Sequence, residues 1–232
     1  MTKIHISPQT ESMAPVVFEN RDFLIADKPH GLPTVPLKGQ DPEGTLLGLV
    51  AQRCPEVLRV CGKNPWEGGT LHRLDTATGG LVVFARTQAM YDYLQKTQQR
   101  DLFEKTYRAD TFESTALKGS NLQIIDNEEF KIVSYFRSYG RGSKSVRPTE
   151  DIKRADTPVL YTTTAIKSGE RFTCRITRGF RHQIRAHLAW IGHPIQGDPL
   201  YGNEVNGGTL SLDCFEVRFP LPDGEPFFFA KY

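Results

Sequence analysis

The chain has 232 residues and a mass of 26.2 kDa, with 38% hydrophobic and 24% charged residues, which supports a buried core and excludes a disordered protein. Its apolar runs, such as Leu81–Ala85, stop at about five residues, too few to span a bilayer; the N-terminus lacks the apolar stretch of a secretory signal, and four cysteines without a CxxC spacing exclude a disulfide scaffold or zinc ribbon and point to the reducing cytoplasm. The net charge of +2 conceals an asymmetry, because 13 Lys or Arg and 4 acidic residues lie between Lys131 and Arg185, a local charge of +9 against −7 elsewhere, as expected of a surface that faces a polyanion.

Residues 1–14 are polar and read as an N-terminal arm. Val16–Glu19 and Phe23–Ala26, around Asn20-Arg21-Asp22, predict a β-hairpin. Lys28–Pro36 carries three prolines and a glycine and reads as a shaped loop. Thr45 is placed to cap a helix reaching Arg53, and Thr87 one reaching Gln99, where Met90 and Leu94 share a face. Leu81–Ala85 and Glu104–Thr111 read as strands. Residues 131–156 predict a strand leading into an exposed basic loop. Val159–Ile166 and Arg171–Thr177 predict a strand pair turning at Ser168-Gly169. Arg181–Ile191 predicts a helix with Ile184, Leu188 and Ile191 on one face, and Arg178, Arg181 and Arg185 along one side of its opening turns. The tail from Leu210 has strand-like runs broken by Pro220 and Pro222. Strands outnumber helices in an irregular order. The expected fold class is α+β, with a mixed, largely antiparallel central sheet flanked by helices and loops, rather than a doubly wound α/β fold.

Three clusters hold candidate chemistry. Gly68–Leu81 sets His72, Arg73 and Asp75 between glycines, where a carboxylate beside a guanidinium is kept ionised and oriented; taken alone, it reads as a turn with a surface ion pair. Arg175–His187 followed by Gly192–Gly202 concentrates arginines at a helix start, which suits an anion or, equally, an ion-paired helix. His182 and His187 are five apart, and Gln183 replaces the glutamate of HExxH, so a zinc protease site is excluded. Tyr107, within Glu104–Ala109, reads by itself as core packing.

Taken together and in this order, Val17–Pro33, the Leu71–Leu81 block with its His-Arg-Leu-Asp, Lys105–Ala109, His182-Gln-Ile-Arg185 and Gly192–Gly202 resemble the RluA-like family of RNA pseudouridine synthases over roughly residues 15 to 225. The chain departs from the family pattern in having Thr78-Gly-Gly-Leu81 for Thr-Ser-Gly-Leu, and Gly179-Phe-Arg181 for Gly-Arg-Thr, which displaces the family arginine there to Arg181 or Arg178. The resemblance implies the pseudouridine synthase fold in a single catalytic domain over residues 15–232, without the S4 RNA-binding domain of many relatives. It implies isomerisation of uridine to pseudouridine in structured ribosomal or transfer RNA, with no cofactor or metal, no membrane partner and a monomer as the expected state.

The resemblance also implies residue roles. Asp75 is the catalytic carboxylate, either attacking C1′ or abstracting a proton to give a glycal. Arg185 holds Asp75 ionised. Tyr107 stacks on the uracil, its phenol available for proton transfer. Arg73 enters the gap left by the flipped nucleotide. His72, Arg178, Arg181 and His182 are further substrate contacts, and Leu81 and Ile184 are apolar walls of the base pocket. Reaching a stacked uridine requires base flipping at a cost of a few kcal/mol, offset by phosphate contacts for which Arg141, Lys144 and Arg147 are the candidates. Two other readings compete. One is a catalytically inactive RNA-binding module of the same fold. The other is a glycosidase that releases free uracil.

Overall fold

A computed structural model describes residues 15–114, 119–120, 122–202 and 208–231; the N-terminal arm read at 1–14 lies outside them. Strands β1 (Val16–Glu19) and β2 (Phe23–Lys28) form the expected hairpin. Its turn is closed by the Asn20 carboxamide oxygen, which accepts the N–H groups of Asp22 and Phe23, both at 2.9 Å. Strand β3 (Gly79–Ala85) is buried throughout and pairs with β2 from Phe23–Ala85 to Lys28–Gly80. Helices α1 (Leu46–Arg53) and α2 (Gln88–Gln99) start where expected: the hydroxyls of Thr45 and Thr87 each accept an N–H three residues on, at 3.2 Å.

The remaining strands are β4 (Glu104–Asp110), β5 (Glu129–Tyr139), β6 (Ser145–Thr149), β7 (Tyr161–Ser168), β8 (Arg171–Ile176), β9 (Leu212–Pro220) and β10 (Pro226–Ala230), with helix α3 (Gln183–Trp190) between β8 and β9. They form one sheet in the order β1-β2-β3-β9-β4-β8-β7-β5-β6, with β10 added to the far half of β9. Among the described strands the pairing is antiparallel except where β3 meets β9 through Gly79–Asp213 and Gly80–Cys214. Gly80 has φ +112°, and a Cβ there would lie 2.2 Å from the Cys214 carbonyl oxygen, so this approach requires glycine. The fold is therefore α+β on a mixed, largely antiparallel sheet. No described helix is long and apolar enough to cross a membrane.

One face of the central strands is buried. It carries Tyr107 and Ala109 of β4, Phe172 and Cys174 of β8, and Leu212 and Cys214 of β9. Helix α2 packs on β3, α1 on β2, and α3 on β6 and β7.

Two expectations are corrected. The strand expected from Lys131 is present within β5, but the basic stretch is only partly a loop. It is an edge hairpin in which β5 runs to Tyr139, the chain turns at Arg141–Ser143 and β6 returns, with Arg137 opposite Arg147 and Ser138 opposite Val146. Phe136 and Val146 hold it by packing on Ala186 of α3. The Arg147 guanidinium lies 3.4 Å from the Tyr139 ring centroid, which offsets the repulsion between facing arginines. Nor do Arg178, Arg181 and Arg185 line one side of a helix. His182 is left-handed at φ +56° and α3 begins only after it, so Arg178 leaves to pair with Asp101 at 3.2 Å and Arg181 donates to the Ser143 and Ser145 carbonyls.

Helix α3 is tied to the sheet by His187. Its ring is fully buried, with Nε2 3.0 Å from the Ser134 hydroxyl and Nδ1 2.8 Å from the Thr163 hydroxyl. Burial pushes its pKa down to about 3, whereas an exposed histidine titrates near about 6.5. Below that value the unfolded chain takes up a proton that the folded chain refuses, so stability falls as pH drops from about 6.5 towards 3. The limiting slope from this group is about 1.4 kcal/mol per pH unit. Urea titrations over that window are expected to show a correspondingly shallower acid loss in His187→Gln than in the parent.

Candidate active site

Asp75 lies in the turn that leads into β3, and Arg185 on the first turn of α3, 110 positions later in the chain. The Arg185 side chain is 4% exposed and its fork is committed: Nε and Nη2 donate to the two oxygens of Asp198, each at 2.8 Å. Asp198 is itself buried, and its Oδ1 accepts the backbone N–H groups of Leu200 and Tyr201. The guanidinium is thereby fixed in plane, and its remaining arm, Nη1, donates to Asp75 Oδ2 at 3.1 Å. The Asp75 side chain stays 27% exposed, so a carboxylate anchored on one side is open to a ligand.

His182 adds a second group facing this carboxylate. The Tyr201 hydroxyl accepts the Val146 N–H at 2.8 Å and lies within hydrogen-bond distance, 3.1 Å, of His182 Nδ1. The other ring nitrogen, Nε2, lies 3.7 Å from Asp75 Oδ2. Burial lowers the His182 pKa, partly opposed by Asp75, and so favours the neutral ring. Tyr107, in mid-β4 between Cys174 and Cys214, is 6% exposed. Its pKa is raised well above the usual phenol value, chiefly by burial, with neighbouring Cys214 and then the Asp75 carboxylate adding to it. The phenol therefore keeps its proton at neutral pH and offers a ring and a donor, not a base.

The loop after β2 holds the Asp75 turn from below. The Thr34 hydroxyl donates to the Leu74 carbonyl and accepts the Leu74 N–H, at 2.8 and 3.1 Å. The Gly31 N–H and the Lys28 ammonium both donate to the Thr76 carbonyl, at 2.8 and 3.1 Å. Lys28 also donates to the carbonyls of Pro29 and Leu32. Burial lowers its pKa to about 8, opposed by Asp75 and Asp213.

The structure thus brings together Asp75, Arg185, His182 and Tyr107. The other candidates have these neighbours. His72 turns inward against Phe103, where Nε2 accepts the Val83 N–H at 3.3 Å. Arg73 is largely exposed and pairs with the buried Glu67 at 2.8 Å. Leu81 and Ile184 belong to the main hydrophobic core. Arg141, Lys144 and Arg147 sit on the β5–β6 hairpin. Sequence reasoning missed Lys28, Thr34, Asp198 and Tyr201 as parts of the site. For Asp198 a signal existed: an aspartate in a Gly-Asp-Pro turn is placed to accept nearby N–H groups.

The profile of the RNA pseudouridylate synthase family matches residues 22–190. Curated relatives include "Ribosomal large subunit pseudouridine synthase D" of Xanthomonas campestris pv. campestris, 32% identical over 91% of this chain and 59% of the relative, and the protein of the same name from Yersinia pestis, 29% identical over 86% and 56%. The chain therefore spans less than two thirds of the length of these relatives. Among solved structures, "Human RNA Pseudouridylate Synthase Domain Containing 1" superposes over 94% of this chain and 82% of that one, with a TM-score of 0.67 at 19% identity, a likeness of fold. Since the family profile runs unbroken from β2 through the Asp75 turn to the end of α3, this chain belongs to the RNA pseudouridylate synthase family.

Proposed function

We propose that this chain is an enzyme that converts uridine to pseudouridine in structured RNA, with ribosomal RNA as the first substrate to test, and that residues 15–232 form its catalytic unit. In that reaction the N1–C1′ bond of the uridine breaks, the base turns, C5 bonds to C1′, and the proton of C5 is released as N1 gains one. The single observation that carries the reading is the exposed Asp75 carboxylate held by an arginine that Asp198 immobilises. Asp75 serves as the nucleophile at C1′ or as the base that opens a glycal route. The protonated Tyr107 ring, near enough to Asp75 for the carboxylate to raise its pKa, serves as the platform for the detached base. A binding-only protein has no use for a pre-oriented carboxylate beside a phenol. The relatives' printed names support ribosomal RNA as the substrate class.

The test uses a large-subunit ribosomal RNA transcript tritiated at uracil C5. Tritium is expected to appear in water with no free uracil. Free uracil would mark a glycosidase, and the absence of any release would remove the isomerase reading.

The β5–β6 hairpin supplies the proposed phosphate grip through Arg141, Lys144 and Arg147. Replacing all three with alanine is expected to lower the slope of log affinity against log salt by about 2. Filter binding over a salt series measures it, and an unchanged slope places the grip elsewhere.

A further inference from the structure

The loop residue His30 stands between two groups that can only accept hydrogen bonds. Its Nδ1 lies 2.7 Å from the Ala77 carbonyl oxygen, two residues past Asp75, and its Nε2 lies 3.1 Å from Asp213 Oδ2 at the start of β9. Both contacts are hydrogen bonds only when both ring nitrogens carry protons. We propose that His30, bridging the Ala77 carbonyl and Asp213, is a positioning residue that fixes the Asp75 turn against the sheet.

Three observations support this. The residues around Asp75 are already tied to the same loop, Leu74 by Thr34 and Thr76 by Gly31 and Lys28. His30 adds Ala77, the last link before β3. The space His30 fills is made by the missing side chain of Gly79, where a Cβ would meet His30 Nε2 at 2.4 Å and Asp213 Oδ1 at 2.5 Å. Asp213 is in turn oriented: Lys231, beyond β10, donates to Asp213 Oδ1 at 3.3 Å and to Asp27 of β2 at 2.8 Å. The charged groups around the ring are thus Asp213 from β9, Lys231 from the C-terminal segment, Asp27 and Lys28 from β2, and Asp75 from the turn itself. A neutral ring loses one of its two bonds, either releasing Ala77 or leaving Asp213 to Lys231 alone.

The inference rests on Asp75 as the reacting carboxylate, so one measurement is kept independent of turnover. Hydrogen-exchange NMR of the full chain is expected to show the amides of Ala77 and Thr78 exchanging about tenfold faster in His30→Ala than in the parent, with a smaller increase in Asp213→Asn. Amide exchange around Asp75 that is the same in His30→Ala as in the parent would overturn the proposal whether or not the chain modifies RNA. In single-turnover assays, His30→Ala is expected to lower the rate at saturating enzyme by about tenfold or more, with RNA affinity unchanged. His30→Gln is expected to restore part of the rate through one donor to Ala77. A loss confined to RNA affinity counts against it. A parent chain without turnover would overturn the functional reading and leave the NMR result to decide this one.

Discussion

Replacing Asp75 with asparagine is expected to lower pseudouridine formation by on the order of 10⁴-fold or more. An amide carries no negative charge, so it neither attacks C1′ nor abstracts a proton, and both routes open to the carboxylate close together. The substitution is nearly isosteric. The asparagine carbonyl still accepts from Arg185 Nη1 at the position where Asp75 Oδ2 does so at 3.1 Å. Arg185 keeps its two bonds to Asp198. With the position 27% exposed, solvent covers the rest of the change, and the stability difference is expected to stay within about 1 kcal/mol. Single-turnover assay and urea titration of the same preparation separate the two effects. Turnover within a hundredfold of the parent would remove Asp75 from the chemistry, and RNA binding lost together with turnover would relocate its role to the substrate.

Much of the fold was legible because its signals are local. Thr45 and Thr87 sit one residue before apolar-periodic segments and cap α1 and α2 through contacts three residues away. The Ser168-Gly169 turn joins β7 and β8 as the alternation of the flanking segments implied. The β5–β6 hairpin was not legible because Gly140, Gly142 and Pro148 break its alternation and its partner surface, Ala186, lies on a distant helix. The arginine cluster misled for a related reason. A three-and-four spacing describes a helix, and nothing in the spacing reveals that His182 turns left-handed. Within the site, no periodicity relates Asp75 to Arg185 across 110 positions, so their meeting was readable only through the family resemblance. His72 looked like a site residue because it is a neighbour of Asp75 in sequence, but the extended strand-like path points it to the other side, onto Phe103. Asp198 was hidden because burial cannot be read from a turn sequence that is usually exposed.

Asp198 is where stability and catalysis meet, and Asp198→Ala is expected to damage both in a fixed order. Its side chain is wholly buried and that of Arg185 is 4% exposed. Removing the carboxylate leaves a buried guanidinium whose one remaining acidic partner among the described residues, Asp75, is partly solvated. It also strands the N–H groups of Leu200 and Tyr201, both of which donate to Asp198 Oδ1. Breaking one side of such a buried pair costs about 3–5 kcal/mol, several times the change expected at Asp75. Asp198→Asn is expected to fall between the two. Its carbonyl oxygen still receives the two backbone N–H groups, but its amide turns a donor towards a guanidinium that has only donors to offer. Urea titration at neutral pH checks the ranking, and a loss below about 1 kcal/mol in Asp198→Ala would mean that the guanidinium finds water or another acceptor. Turnover measured at a temperature where Asp198→Ala remains folded is expected to fall as well, because Nη1 aims at Asp75 only while Nε and Nη2 are held. A variant that is destabilised yet turns over at the parent rate would confine Asp198 to the core and leave the orientation of Arg185 to α3 alone.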